Sequence, residues 1–136
     1  MQLQNSCGYQ RKSLCLEWCV RIVPCRFTRS KTSKILIPVP SFLGYEEAAK
    51  ALDCEVIFYE MKKEEKFCLT ERILDALDES ISLVFLANPN NPVGNLVEPE
   101  LIFKIAEKCR QCDITLVLDE CFMELTGKEQ KYSFLS

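Results

Sequence analysis

Apolar residues in the second half of the chain form short continuous runs that are separated by polar turns. Residues 81–87 and 114–118 have the length and continuity of strands that are buried on both faces of a sheet. Between them, the segment Glu98-Pro99-Glu100 suits a first helical turn, which favours Pro and acidic residues. The apolar residues that follow recur at helical spacing: Leu101, Ile102, Ile105, Ala106 and Cys109. The pattern predicts a strand, a helix and a second strand.

The upstream half repeats this alternation. Residues 34–40 and 55–59 are predicted as strands, and Thr70 is expected to cap a helix that runs to Leu77. Residues 46–52 are predicted as a helix with an inner face made by Ala48, Ala49, Ala51 and Leu52. Strands that alternate with helices predict the α/β class, in the form of a three-layer α/β/α sandwich with a mainly parallel sheet.

Polar residues follow the two buried strands at the point where each strand ends. Residues 88–94 read Asn-Pro-Asn-Asn-Pro-Val-Gly, and Asp119-Glu120 closes the second strand. Because the carboxyl ends of parallel strands meet at one edge of a sheet, we expect both clusters at the edge where such sheets bind ligands.

Composition narrows the classes of function. The chain has no His, which excludes Ser-His-Asp and Cys-His catalytic schemes. A net charge of −3 with mixed signs argues against nucleic acid as a partner. No apolar stretch is long enough to span a membrane, and a cytoplasmic location is expected by default.

Nine Cys residues leave a second class of function open. Cys109 and Cys112 have the spacing of zinc ligands, and Cys15 and Cys19 could complete a four-Cys site. The alternative function is therefore a non-catalytic, Cys-rich zinc-binding or interaction module on an α/β scaffold. A dinucleotide-binding domain is disfavoured, because no Gly-x-Gly-x-x-Gly follows any predicted strand.

The turn at residues 88–94, followed one crossover later by Asp119-Glu120-Cys121-Phe122, resembles the large domain of fold-type I pyridoxal-phosphate (PLP) enzymes. The similarity is to class I/II aminotransferases, near histidinol-phosphate aminotransferases and the threonine-phosphate decarboxylases of cobalamin synthesis. It covers about residues 34–134. It implies a PLP cofactor, an amino-acid or phosphorylated amino-acid substrate in a full-length parent, and a possible homodimer.

The resemblance also implies roles for four residues. Asp119 matches the carboxylate that pairs with the pyridine nitrogen of the cofactor, and Asn91 matches the donor to its phenolic oxygen. Phe42, in a Pro-x-Phe-x-x-Tyr segment, matches the aromatic that stacks on the ring. Phe122 stands where aminotransferases carry a Tyr that also bonds the phenolic oxygen. Phe has no hydroxyl, and this departure favours the decarboxylase branch.

Other parts of the family pattern are not found. The Schiff-base lysine is expected downstream of Asp119, beyond Ser136, and the Arg that holds a substrate carboxylate belongs to a small C-terminal domain. No catalytic residue is assigned, and we expect the chain to be an enzyme fragment that is inactive on its own. Residues 34–136 are interpreted as a partial large domain.

Residues 1–33 form an atypical segment that lacks the glycine-rich phosphate-binding sequence of the family. Residues 17–25 can be encoded so that the frame one base later gives Asn-Gly-Ala-Ser-Glu-Leu-Tyr-Arg-Ala. The hypothesis is that this segment is a frame-shifted copy of the phosphate-binding sequence.

Overall fold

Five strands form one sheet in the computed structural model, which describes the backbone of residues 20–23 and the whole of residues 33–134. The spatial order of the strands is β1-β5-β4-β2-β3. Their bounds are β1 Val20–Val23, β2 Lys34–Val39, β3 Glu55–Glu60, β4 Leu83–Ala87 and β5 Thr115–Asp119.

Four of these strands are parallel. β2 pairs with β3 on one side and β4 on the other, and β4 pairs with β5 so that Ala87 lies opposite Asp119. β1 runs antiparallel to β5 at the far edge, with Val20 opposite Asp119. The predicted strand-helix-strand unit and the mainly parallel sheet are confirmed.

Helices connect the parallel strands. α1 spans Leu43–Ala51, α2 spans Pro99–Gln111 with Pro in its first turn, and α3 is a single turn, Glu129–Tyr132. Short 3₁₀ helices occur at Lys63–Glu65, Glu71–Ala76 and Met123–Thr126. No helix among the described residues is long and apolar enough to cross a membrane.

The two faces of the sheet bury separate apolar clusters, which makes the structure three-layered. Leu36 belongs to the larger cluster beneath α2, whereas its neighbours Ile35 and Ile37 belong to the smaller cluster beneath α1. This alternation follows from the two-residue period of a strand. The carboxyl ends of β2, β4 and β5 are thereby held between two packed layers.

The predicted inner face of α1 is wrong at three of its four positions. The helix begins at Leu43, three residues before the predicted start at Glu46. Tyr45 and Ala49 are its buried residues, whereas Ala48, Ala51 and Leu52 are exposed, Leu52 to 73 %. A helix that touches the sheet along one narrow stripe buries positions four apart and leaves the rest in water.

The predicted cap at Thr70 is also wrong. Residues Glu71–Ala76 form a 3₁₀ helix, and the Thr70 side chain makes no capping hydrogen bond. Its hydroxyl is buried without a hydrogen-bond partner in the described part of the chain. Ile73 and Leu77 are buried, so their packing holds this segment in place of a cap.

Replacing Ile105 with Ala tests the packing of α2 on the sheet. Ile105 is fully buried in the larger cluster, and removing its side chain leaves a cavity, so we expect a loss of about 2–5 kcal/mol in the free energy of unfolding. Urea denaturation followed by circular dichroism measures this loss.

Leu52→Ala is the matched control, because it removes a similar side chain that is exposed. We expect a change within about 0.5 kcal/mol. A loss comparable to that of Ile105→Ala would contradict the corrected inner face of α1.

Candidate functional site

A pocket of about 70 Å³ opens at the carboxyl ends of β2, β4 and β5. It brings together the four residues that the sequence singled out, although they come from three separate turns. Its lining consists of Phe42, Tyr45, Ala87, Pro89, Asn91, Asp119, Cys121 and Phe122. The parallel sheet causes this convergence, because neighbouring strands that run in one direction end side by side.

Asp119 lies at the base of the pocket as the last residue of β5 and is 4 % exposed. The backbone N–H of Cys121 donates to Oδ1 at 3.0 Å, and the Tyr45 hydroxyl donates to Oδ2 at 2.5 Å. The carbonyl of Asp119 accepts from the backbone N–H of Asn88 at 2.8 Å. A carboxylate has about four acceptor positions, so each oxygen retains capacity for a further donor.

Tyr45 is the site residue that the sequence reasoning missed. Its ring stacks on Phe85 with centroids 4.8 Å apart and planes 5° apart, and the Phe42 ring meets its edge at 5.6 Å. Burial raises the pKa of the Tyr45 phenol far above its usual range, and the hydrogen bond and negative charge of Asp119 raise it further. The hydroxyl therefore stays protonated as the donor to Asp119.

The spacing Pro40-x-Phe42-x-x-Tyr45 indicates that Tyr45 lies beside Phe42 in the site. Two aromatics three positions apart at the start of a helix lie on one face, and the first of them was already assigned to the site. The predicted helix begins at residue 46, so it leaves Tyr45 outside the helix and away from Phe42.

Phe42 lies at the mouth of the pocket and is 38 % exposed. Its ring lies across Gly44, where an added Cβ would come within 2.3 Å of a ring carbon. No real Cβ is found at that distance, so the position of the Phe42 ring depends on glycine at residue 44.

The Asn-Pro-rich turn supplies Asn91 to the pocket. Its neighbour Asn90 holds the turn, since it accepts from the Val93 N–H at 3.1 Å and donates to the Pro40 carbonyl at 3.2 Å. Gly94 ends the turn with φ of 84°, a conformation that suits glycine. Within the described residues, the Asn91 amide makes no hydrogen bond and is free to bind a ligand.

Phe122 also lines the pocket and is 43 % exposed. Its side chain offers an apolar surface and no hydroxyl to a ligand. Among the described lining residues, Asn91 is the one with a side-chain amide, so it is the residue that can donate to a ligand oxygen from an amide.

No lysine belongs to the described lining of this pocket. Lys34 lies at the amino end of β2, the opposite edge of the sheet. Lys131 Nζ contacts the Tyr132 hydroxyl at 2.9 Å and Glu98 at 3.3 Å, and these bonds hold the pKa of Lys131 above its ordinary value. A protonated amine is a poor nucleophile, so Lys131 is not suited to covalent catalysis. Lys34 lies at the wrong edge of the sheet for it.

The cysteines form no metal site within residues 20–23 and 33–134, where no group of three or more Cys, Asp or Glu side chains could hold an ion. Cys109 is buried in the core beneath α2, and the Cys112 thiol donates to the Leu77 carbonyl at 3.8 Å. Cys15 and Cys19, the other proposed ligands, lie outside the described residues.

A family model for aminotransferases of class I and II matches residues 20–136, which is most of the chain. The chain belongs to this family. The relation that the two turns indicated is confirmed, and the family is PLP-dependent. The boundary at residue 33 and the frame-shift hypothesis stay predictions, because most of residues 1–33 lie outside the described structure.

Individual relatives come from both predicted branches of this family. The chain is 34 % identical over 99 residues to the threonine-phosphate decarboxylase of Salmonella typhimurium, a match that covers 73 % of the chain and 27 % of that protein. It is 32 % identical over 105 residues to the histidinol-phosphate aminotransferase of Methanosarcina mazei, covering 76 % and 27 %. The chain thus spans about a quarter of these relatives.

Solved structures show the same partial overlap. The histidinol-phosphate aminotransferase of Clostridium acetobutylicum superposes with a TM-score of 0.68 at 32 % identity, over 76 % of this chain and 30 % of that one. A tetra mutant of the aspartate aminotransferase of Thermus thermophilus matches with a TM-score of 0.59 at 22 % identity, over 64 % of this chain and 24 % of that one, and supports the fold alone. The aminotransferase-like α/β architecture is therefore confirmed.

Tyr45→Phe tests the bond to Asp119 while keeping the aromatic stack. Because the buried carboxylate loses its hydroxyl donor, we expect the free energy of unfolding to fall by about 1.5–3 kcal/mol in urea denaturation. Tyr59→Phe is the matched control, since the Tyr59 hydroxyl is buried without a hydrogen-bond partner among the described residues. A loss as large in Tyr59→Phe would contradict this assignment.

The same variant gives a prediction for alkaline pH. The raised pKa means that folded Tyr45 keeps a proton that the unfolded chain loses above the ordinary phenol pKa of about 10. The stability that Tyr45 contributes is therefore complete below about pH 10 and lost as the pH rises towards the folded pKa. In urea denaturation, the stability difference between wild type and Tyr45→Phe should shrink above about pH 10, and a constant difference would contradict the prediction.

Proposed function

We propose that the pocket bounded by Phe42, Asn91, Asp119 and Phe122 is the ring-binding part of a PLP site. The observation that carries the proposal is the convergence of these four side chains on one pocket, in a chain whose family is PLP-dependent. Each side chain offers a contact that a flat, charged pyridine ring needs.

The chemistry of the donor set fits the ring. A carboxylate at the base of an apolar pocket suits a pyridine nitrogen that must stay protonated, and its attraction is strongest where water is excluded. The unpaired amide of Asn91 suits a phenolic oxygen, and Phe42 contributes an aromatic ring to the lining. Neither Lys nor Arg lines the described pocket, so a phosphate would need residues from elsewhere.

PLP supplies an electron sink for a carbanion at the substrate carbon, provided that its ring nitrogen is kept cationic. Asp119 holds the proton at that nitrogen, because its carboxylate stabilises the cation. The Tyr45 hydroxyl and the backbone N–H of Cys121 orient the carboxylate by donating to its two oxygens. Phe42 and Phe122 cover the ring and exclude water, and Asn91 donates to the phenolic oxygen without titrating near neutral pH.

The chain does not carry a complete reaction under this proposal. It spans about a quarter of its relatives, and none of its described lysines reaches the pocket. Its role is that of a ring-binding fragment of a larger aminotransferase or decarboxylase. The half-exposed Phe42 and Phe122 at the rim favour a second surface over the site, as in the homodimer that the family resemblance implies.

Decarboxylation is the branch that one observation favours. Phe122 offers no hydroxyl to the phenolic oxygen, and the Salmonella typhimurium relative is a threonine-phosphate decarboxylase. On this basis the parent enzyme would be a lyase of cobalamin synthesis that acts on a phosphorylated amino acid in the cytoplasm. A histidinol-phosphate aminotransferase-like activity is the alternative, supported by the similarity to those enzymes.

Binding of pyridoxamine phosphate tests the proposed site without any need for a lysine. We expect the wild-type chain to bind it in isothermal titration calorimetry, and Asp119→Asn to weaken binding at least about tenfold, because the ring cation loses its partner. Asp113→Asn is the matched control: Asp113 is exposed in a left-handed turn that Asn also adopts.

Two results would overturn the proposal. One is the absence of binding by the folded wild-type chain. The other is an equal loss of affinity in Asp119→Asn and Asp113→Asn, which would show that the pocket is not the binding site.

A further inference from the structure

Two buried polar side chains next to the proposed site belong to neither the pocket lining nor the apolar core. Asn88 is 0 % exposed and is the first residue of the turn that carries Asn91, and Glu120 is 2 % exposed and follows Asp119. Burying an amide and a carboxyl group is costly unless each is hydrogen-bonded, so their partners indicate what they do.

Glu120 binds a segment near the end of the described chain. Its Oε1 accepts from the backbone N–H of Phe134 at 2.8 Å, and its Oε2 accepts from the Ser133 hydroxyl at 2.8 Å. The two oxygens of the Glu120 carboxylate therefore bind two consecutive residues, Ser133 and Phe134.

Asn88 binds the same segment from the other turn. Its side-chain amide donates to the Tyr132 carbonyl at 3.3 Å, while its Oδ1 accepts from the Val97 N–H at 3.0 Å. Its backbone N–H donates to the carbonyl of Asp119 at 2.8 Å. One residue thus joins β5, the Asn-Pro-rich turn and residues 131–134.

Residues 131–134 are also anchored on their outer side. The Tyr132 hydroxyl donates to Glu98 at 2.9 Å, and the Phe134 ring meets Phe103 of α2 edge-on at 5.2 Å. A segment held by α2 can act as a rigid support for the residues that it binds.

We propose that residues 131–134 are a strut that fixes the two ring-binding turns relative to each other, with Glu120 as the positioning residue for Asp119 and Asn88 for Asn91. This inference rests on the proposed function. A binding site needs its groups within about 0.5 Å of the productive geometry, and Asp119 and Asn91 come from separate turns. The strut couples those turns by hydrogen bonds of fixed direction.

The carboxylate of Glu120 is better explained by a role in positioning Asp119 than by a contribution to the stability of the fold. Well-packed apolar residues often replace a buried ionic group with no loss of stability. Two acceptors on one planar group, however, fix both the distance and the direction of Ser133 and Phe134. The strand end that carries Asp119 is thereby held at the adjacent residue.

The Tyr45 hydroxyl proton reports on the position of Asp119 without any ligand. A hydrogen bond from a phenol to a buried carboxylate gives a downfield proton resonance, which Tyr45→Phe identifies by its loss. We expect this resonance to shift upfield or disappear in folded Glu120→Ala, because Asp119 is released. Glu120→Gln should keep it, since an amide can accept from Phe134 and donate to Ser133.

Glu124→Ala is the matched control, since it removes an exposed glutamate from the nearby 3₁₀ helix and should leave the resonance unchanged. If Glu120→Ala does not fold, Ser133→Ala carries the test with a smaller shift in the same direction, because it removes one of the two donors. An unchanged resonance in the folded variant would mean that Glu120 only stabilises the fold, and it would overturn the inference.

Affinity for pyridoxamine phosphate separates this inference from the proposed function. We expect Glu120→Ala to weaken binding about tenfold and Glu120→Gln to restore it, as for outer residues that orient a ligand-binding group. If wild type binds and Glu120→Ala binds equally well, the positioning role alone is overturned. If folded wild type does not bind, the proposed function is overturned, and the role of the strut in ring binding is overturned with it.

Discussion

The structure of the site depends on one buried carboxylate, Asp119, which needs hydrogen-bond donors because it ends β5, a strand whose five residues are all buried. Tyr45 and the backbone of Cys121 supply its donors, and the carbonyl of the same residue binds Asn88 of the neighbouring turn. α1 must therefore bring Tyr45 over the sheet, and the Asn-Pro-rich turn must lie beside β5. A charge at the base of an apolar pocket is then fixed in direction and open on one side, as the binding of a cationic ring requires.

The polar side chains at this edge of the sheet have two different roles: one pair lines the pocket, and the other pair binds residues 131–134. Those on the pocket side, Asp119 and Asn91, keep acceptor or donor capacity for a ligand. Those that bind residues 131–134, Asn88 and Glu120, use theirs on the protein itself. Under the proposed function, the residues that contact the ligand therefore depend on a second set that does not contact it, because loops hold a geometry only as well as their supports do.

The sequence predicted the four parallel strands and α2, with the clearest patterns in the continuous apolar runs of β4 and β5 and the helical apolar stripe after Pro99. It did not predict β1, Val20–Val23, which lies in the segment interpreted as atypical. It failed where the period was weak. Ala is compatible with either side of a helix, so the Ala-rich stretch of α1 did not reveal that only Tyr45 and Ala49 face the sheet. Thr70 resembled a cap, but the burial of Ile73 and Leu77 set the 3₁₀ turn regardless. The predicted helix begins at residue 46, after Tyr45, so the sequence did not place Tyr45 on the face of α1 that packs on the sheet.

The sequence by itself determined the α/β class, the strand-helix-strand unit, the family and the four residues that line the pocket, since periodicity and motif spacing are local properties of a chain. The tertiary structure alone decided that Tyr45 donates to Asp119 and that Glu120 and Asn88 share the 131–134 segment. These pairs are 13 to 74 positions apart in the chain. Their contact depends on strand order and on the face that each helix packs against, which no local pattern encodes.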